Sequence, residues 1–143
     1  MRNLSQLLTT HDFPSSLDRI RRSFARQPDI QTCGASAIRH GLLLGGLTLP
    51  TATLEAILDI RSNEGTTTVA LRACLRRLGL EARGIRKPAR LSTAAFFDRL
   101  RGEFARGSFL LPCIKGGMHW VCVGSWQDNR IGMVDSFFDR IKP

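Results

Sequence analysis

Met118-His119-Trp120-Val121-Cys122-Val123-Gly124-Ser125-Trp126, then Gln127-Asp128-Asn129, then Arg130-Ile131-Gly132-Met133-Val134-Asp135: this run near the C-terminus decides the fold class. Two segments rich in β-branched and aromatic residues flank a short polar turn, the signature of an antiparallel hairpin. Working upstream, residues 108–114 read as a further strand, and residues 80–85 alternate as a short one. Most of what precedes them has helical spacing. Ser15 or Ser16 caps a basic helix over residues 17–25, with Leu17, Ile20 and Phe24 on one face. Gln27-Pro28-Asp29 breaks it. From Cys33 a second helix places Ala37, Ile38, Leu42 and Leu44 on a broad apolar face and ends at Gly45-Gly46. Such a helix, apolar almost all round, belongs at a domain centre. A third starts at residues 50–53 and turns Leu54, Ile57, Leu58 and Ile60 inward, before a turn at Asn63-Glu64-Gly65. A fourth, residues 69–78, ends at Gly79, with Arg72, Arg76 and Arg77 outward. Ser92 caps a fifth over residues 93–104. Helices first and an antiparallel sheet last give an α+β domain, expected over residues 15–143, with residues 1–14 loosely ordered.

Composition narrows the function classes. A chain of 143 residues is one domain long and able to bury a core. With 43% apolar and 23% charged residues it is not a disordered chain. Its longest apolar run, residues 41–50, is too short to span a bilayer, and residues 1–11 lack the apolar core of a signal peptide. No membrane segment is expected, and the protein is expected to be cytoplasmic where it is made. The net charge is +9, from 21 basic and 12 acidic residues. The basic residues are scattered along the chain on polar helix faces, so nucleic acid is not expected as a partner. Cys33, Cys74, Cys113 and Cys122 form no CxxC pair, which excludes a zinc ribbon or thioredoxin-type centre. Cys74 falls with Leu71, Leu75 and Leu78 and reads as core. A metal site from Cys113, His119 and Cys122 is disfavoured, because residues an odd number apart on a strand point to opposite faces. Neither metal nor cofactor is expected.

Three features carry chemistry. Gln31-Thr32-Cys33-Gly34-Ala35-Ser36-Ala37 puts a cysteine at the positive end of a buried helix, where negative charge on sulfur is favoured. The small residues after it permit close approach of a backbone. Gly116-Gly117-Met118-His119-Trp120 opens a strand on a histidine behind a glycine pair. Asp135 ends the partner strand, and in an antiparallel hairpin the start of one strand lies beside the end of the next. His119 and Asp135 are therefore expected to meet across 16 residues of sequence. Nucleophile, base and orienting acid are the requirement for thiol catalysis. Gln27, six residues before Cys33, is placed to supply a side-chain donor to an oxyanion. Taken singly, each has an ordinary structural reading: a buried thiol, a strand histidine, a turn aspartate, a loop glutamine. His40, two turns along the helix from Cys33, and His11 do not replace His119 as the base.

In this order and spacing, Gln27, Cys33-Gly34, His119-Trp120-Val121-Cys122-Val123 and Asp135 resemble the bacteriocin-processing, double-glycine leader peptidases of the papain-like cysteine protease clan. These are best known as N-terminal domains of peptide-exporting ABC transporters. The segment Glu64-Gly65-Thr66-Thr67, with Leu71, Leu75 and residues 78–83, resembles the family's middle region. The likeness runs from about residue 26 to 137. Two positions depart from it: Thr32 stands where the family commonly has Asp, and Ser136 where it usually has Pro. The chain ends at Pro143, so a free-standing domain is expected.

The resemblance implies a papain-like fold, with Cys33 as nucleophile, His119 as general base and acid, Asp135 as orienter and Gln27 as oxyanion donor. Gly34, Gly117 and Trp120 are expected to line the substrate groove. The implied substrate is a peptide or protein cut after a Gly-Gly type site in a leader. A transporter, an immunity protein or a delivery partner are the associations to expect. The same residues also suit a toxin or effector, delivered into a target cell, that acts as a protease, deamidase or acyl transferase. A leader-binding adaptor without activity is the non-enzymatic alternative.

Overall fold

Between Thr32 and Gly45 the chain offers no proline, and Ile38 is its sole β-branched residue. This stretch forms a helix, Cys33–Leu44 (α1), entered through a single 3₁₀ turn at Ile30–Thr32. The structure is a computed structural model that describes residues 22, 24, 26–27, 30–59, 65–114, 116, 119–137 and 141–142. Every residue of α1 except Arg39 is buried. A helix with no polar face has to lie at the centre of its domain. It does so here, packing against the helix Thr51–Leu58 (α2) and the strands His119–Trp120 (β2) and Cys122–Gln127 (β3). Its end is set by Gly46, at φ +79°. The Gly46 N–H donates to Leu43 O and the Leu47 N–H to Leu42 O, both at 3.0 Å. This paired closure needs a left-handed residue, which glycine adopts without steric cost.

Two further helices complete the helical half. Thr68–Arg77 (α3) packs on α2, and Thr67 Oγ1 accepts from the Ala70 N–H at 3.1 Å as its N-cap. Thr93–Ala105 (α4) is capped by Ser92, the expected residue, whose Oγ accepts from the Ala95 N–H at 3.1 Å. Two apolar clusters share α1. Its Ile38 and Leu42 join Leu54, Leu58, Leu71, Leu75, Leu80 and Trp120, while Leu43 and Leu44 join Phe104, Cys122, Val123 and Val134. At roughly 2 kcal/mol for each fully buried aliphatic side chain, this helix binds the helical half to the sheet half.

The sheet half is antiparallel, as expected, and the chain is mixed α+β. Cys113–Ile114 (β1) pairs with β2, and β3 pairs with Arg130–Val134 (β4), which pairs in turn with Ile141–Lys142 (β5). The strand expected over residues 108–114 is laddered only at β1. The Val121 and Val123 N–H groups do donate to Pro112 O and Leu110 O, at 3.1 and 3.0 Å. Pro112 has no N–H to return, so the ladder is interrupted there. The single strand expected at residues 118–126 correspondingly divides at Val121.

The strand expected at residues 80–85 is a correction. Leu80 and Ala82 are buried and Glu81 and Arg83 exposed, but the segment pairs with no strand among the described residues. Alternation reports a face laid on the core; it does not supply a hydrogen-bonding neighbour. Arg72 is a second correction. It is half-buried rather than outward, and its Nε is enclosed without a hydrogen-bond partner. The helix expected over residues 17–25 lies almost wholly outside the described residues. Residues 1–14, Ile60 and Asn63-Glu64 lie outside them entirely. No described helix is long and apolar enough to cross a membrane.

Candidate active site

The hairpin places the histidine and the acid. Gln127 pairs with Arg130 across the two-residue loop Asp128-Asn129, and Asp128 takes φ +50°, a conformation Asp tolerates. Counted from that loop, a regular ladder would put Ser136, not Asp135, on the face that carries His119. The register shifts once, between Val123 and Ser125, so that Cys122 pairs with Val134. Gly124 is the extra residue of this bulge. One residue of slip exchanges the two faces of a strand, and the bulge therefore turns Asp135 toward His119. His119 Nε2 and Asp135 Oδ1 lie 2.7 Å apart, with both side chains about 8% exposed. That is a short bond of the charge-assisted kind, shielded from water. The Phe137 N–H donates to the same Oδ1 at 3.0 Å, and the Phe137 ring meets the His119 ring edge-on at 6.3 Å. Asp135 thus engages Nε2, and Nδ1 lies outside this bond.

Cys33 opens α1, where Thr32 provides no side-chain cap. It is 3% exposed and belongs to the same cluster as Trp120, the residue after His119. α1, which begins at Cys33, packs on β2, which begins at His119, so the elements that carry the thiol and the imidazole meet along one seam. Cys113 borders this seam from β1, opposite Trp120. Burial pushes its thiol up, the His119 N–H draws it down, and a charge on Cys33 raises it. Cys74 and Cys122 are core thiols, both pushed up by burial. Among the described residues no cluster of His, Cys, Asp or Glu could hold a metal ion.

Gln27 comes in from the chain before α1. It is 6% exposed, its N–H donates to Ser136 O at 2.9 Å, and its Oε1 accepts from Ser136 Oγ at 2.7 Å. The residue beside the acid thus ties down the glutamine. Gln27 is tied to the residue next to Asp135, the partner of His119, while Cys33 begins the helix that packs on β2 and β3.

Of the residues expected to line a groove, Gly34 and Trp120 both meet Thr66. Gly34 is buried, and a Cβ there would run into the Thr66 side chain. Trp120 Nε1 donates to Thr66 O at 2.8 Å. Thr66 thus packs beside Gly34, and its backbone carbonyl anchors the indole. Gly117 lies outside the described residues. Ser136, Phe137 and Thr66 were not singled out as site residues. Ser136 alone carried a signal, as a hydroxyl next to the acid.

Compared with known proteins, the chain matches no family model, no curated relative and no solved structure.

Proposed function

We propose that this protein is a papain-like cysteine peptidase that cuts a peptide bond through a Cys33 thioester, after a Gly-Gly type site in a leader peptide. One observation carries the reading: a buried His119–Asp135 bond of 2.7 Å stands beside the helix that begins at Cys33. The Gln27–Ser136 bonds and the packing of α1 on β2 support the same reading. The choice of Gly-Gly substrate rests on the sequence resemblance alone.

In this reading Cys33 Sγ attacks the substrate carbonyl carbon as thiolate. The oxyanion is met by the Cys33 N–H and Gln27 Nε2. As the C–N bond breaks, His119 gives its proton to the leaving amine, and a thioester remains. His119 then takes a proton from water, which attacks the thioester and frees the carboxylate and the thiol. Asp135 holds the ring tautomer and stabilises the imidazolium between these transfers.

The test is hydrolysis of a synthetic peptide bearing an internal Gly-Gly, followed by mass spectrometry. Wild type is expected to cut after the second glycine and to yield an acyl adduct on Cys33 when quenched in acid. Cys33→Ala and His119→Ala are expected to do neither. A peptide cut equally well by Cys33→Ala contradicts the proposal.

A further inference from the structure

Gln27 donates to an oxyanion only if its amide presents Nε2, and not Oε1, to that position. Nothing in the glutamine itself decides this, because the two ends of the amide are the same size. The surroundings must hold it. Ser136 Oγ donates to Oε1 at 2.7 Å, and Ser136 O accepts the Gln27 N–H at 2.9 Å. Ser136 is 2% exposed and Gln27 6%, so water does not compete for either bond. The two residues are 109 apart in sequence. The clamp also ties the oxyanion arm to the acid, because Ser136 directly follows Asp135.

We propose that Ser136 is a positioning residue: its hydroxyl engages Gln27 Oε1 and so turns the amide NH₂ toward the developing oxyanion. This rests on the peptidase reading. It acts through Gln27 and touches no reacting atom. Removing the hydroxyl leaves Oε1 buried without that donor and weakens the preference for this orientation of the amide. An oxyanion-hole donor is worth about 10²- to 10³-fold in rate. Loss of its orientation should cost a part of that, about tenfold.

Two probes separate this effect from loss of the thiolate. Iodoacetamide alkylation of Cys33 needs only the thiolate. Acetyl-glycyl-glycinal forms a hemithioacetal on Cys33, which needs the thiolate and the oxyanion donors together. The experiment measures the aldehyde concentration that protects Cys33 from iodoacetamide, in wild type, Ser136→Ala, Gln27→Ala, the double variant and Ser136→Thr. Ser136→Ala should need about tenfold more aldehyde, with an alkylation rate within about twofold of wild type. The double variant should be no worse than Gln27→Ala, because without the amide there is nothing left to orient. Ser136→Thr keeps the hydroxyl and should stay near wild type.

The proposal is overturned if Ser136→Ala is protected like wild type, or if its effect adds in full to that of Gln27→Ala. It is also overturned if folded Ser136→Thr loses protection as alanine does, or if wild type alkylates fast and the aldehyde gives no protection. Failure of the peptidase reading itself looks different: Cys33 of wild type then alkylates no faster than in the unfolded chain, and both proposals fall together.

Discussion

His40 offers the most quantitative prediction in the molecule. It sits in α1, fully enclosed, and neither ring nitrogen reaches a hydrogen-bond partner among the described residues. Its ring stacks on Phe24 at 5.2 Å and 4°. Burial, joined by the Arg39 guanidinium, pushes its pKa down from 6.5 to about 4. A base with a lowered pKa weakens the fold as pH falls. Below 6.5 the unfolded chain takes up a proton that the folded chain refuses, and this continues to about pH 4. At about 1.4 kcal/mol per pH unit, the interval from 6.5 to about 4 corresponds to about 3 kcal/mol. His40→Phe keeps a flat ring against Phe24 and removes both the titration and the unpaired nitrogens. The assay is urea unfolding of both proteins at steps from about pH 7.5 to about 3.5. Stability of the variant relative to wild type should rise by about 3 kcal/mol over that range, because other titrations cancel in the difference. A difference that stays constant with pH refutes the reasoning.

Asp135→Asn keeps the shape of the acid and removes the charge that fixes the His119 tautomer. It should lower kcat on the Gly-Gly peptide by about 10²-fold or more with little change in KM, read from initial rates. Gly34→Ala gains about 1 kcal/mol of helix propensity but forces a Cβ into the short branched side chain of Thr66, a residue whose backbone carbonyl also accepts from the Trp120 indole. Overpacking of about 1–3 kcal/mol plus the strained indole bond outweighs the gain, so the melting temperature should fall by several degrees in calorimetry; an unchanged or higher value contradicts the close approach. Cys122 is fully buried, with its thiol pushed up by that burial. It should resist alkylation in native protein and react only in denaturant, as peptide mapping would record.

The central helix was legible because its signals are local. Its start at Cys33, its apolar face and its Gly45-Gly46 end are all spelled out within a few turns. The hairpin was legible for the same reason, through strand-forming residues around Asp128-Asn129. The meeting of His119 and Asp135 was reached by hairpin symmetry, yet the regular hairpin from this loop would have presented Ser136. The bulge at Gly124 corrects the face; a glycine inside a strand pattern is its one local signal. Residues 80–85 show the converse: the alternation was read correctly, but a strand also needs a partner, which alternation does not encode. Thr66 on Gly34 and Ser136 on Gln27 are contacts between segments distant in sequence, set by how α1 docks on the sheet, and periodicity carries no trace of them.

The proposed peptidase requires that Cys33 and His119 form a working nucleophile and base. The most direct measurement of this is the rate of Cys33 alkylation by iodoacetamide near neutral pH, followed by intact mass and peptide mapping, in wild type and His119→Ala. Cys33 should react faster than the exposed Cys113 although it is itself buried, and faster than in the unfolded chain. His119→Ala should slow Cys33 and leave Cys113 reactive. If Cys33 reacts no faster than a buried thiol such as Cys74, or keeps its rate without His119, the two side chains do not work together and the peptidase account is wrong.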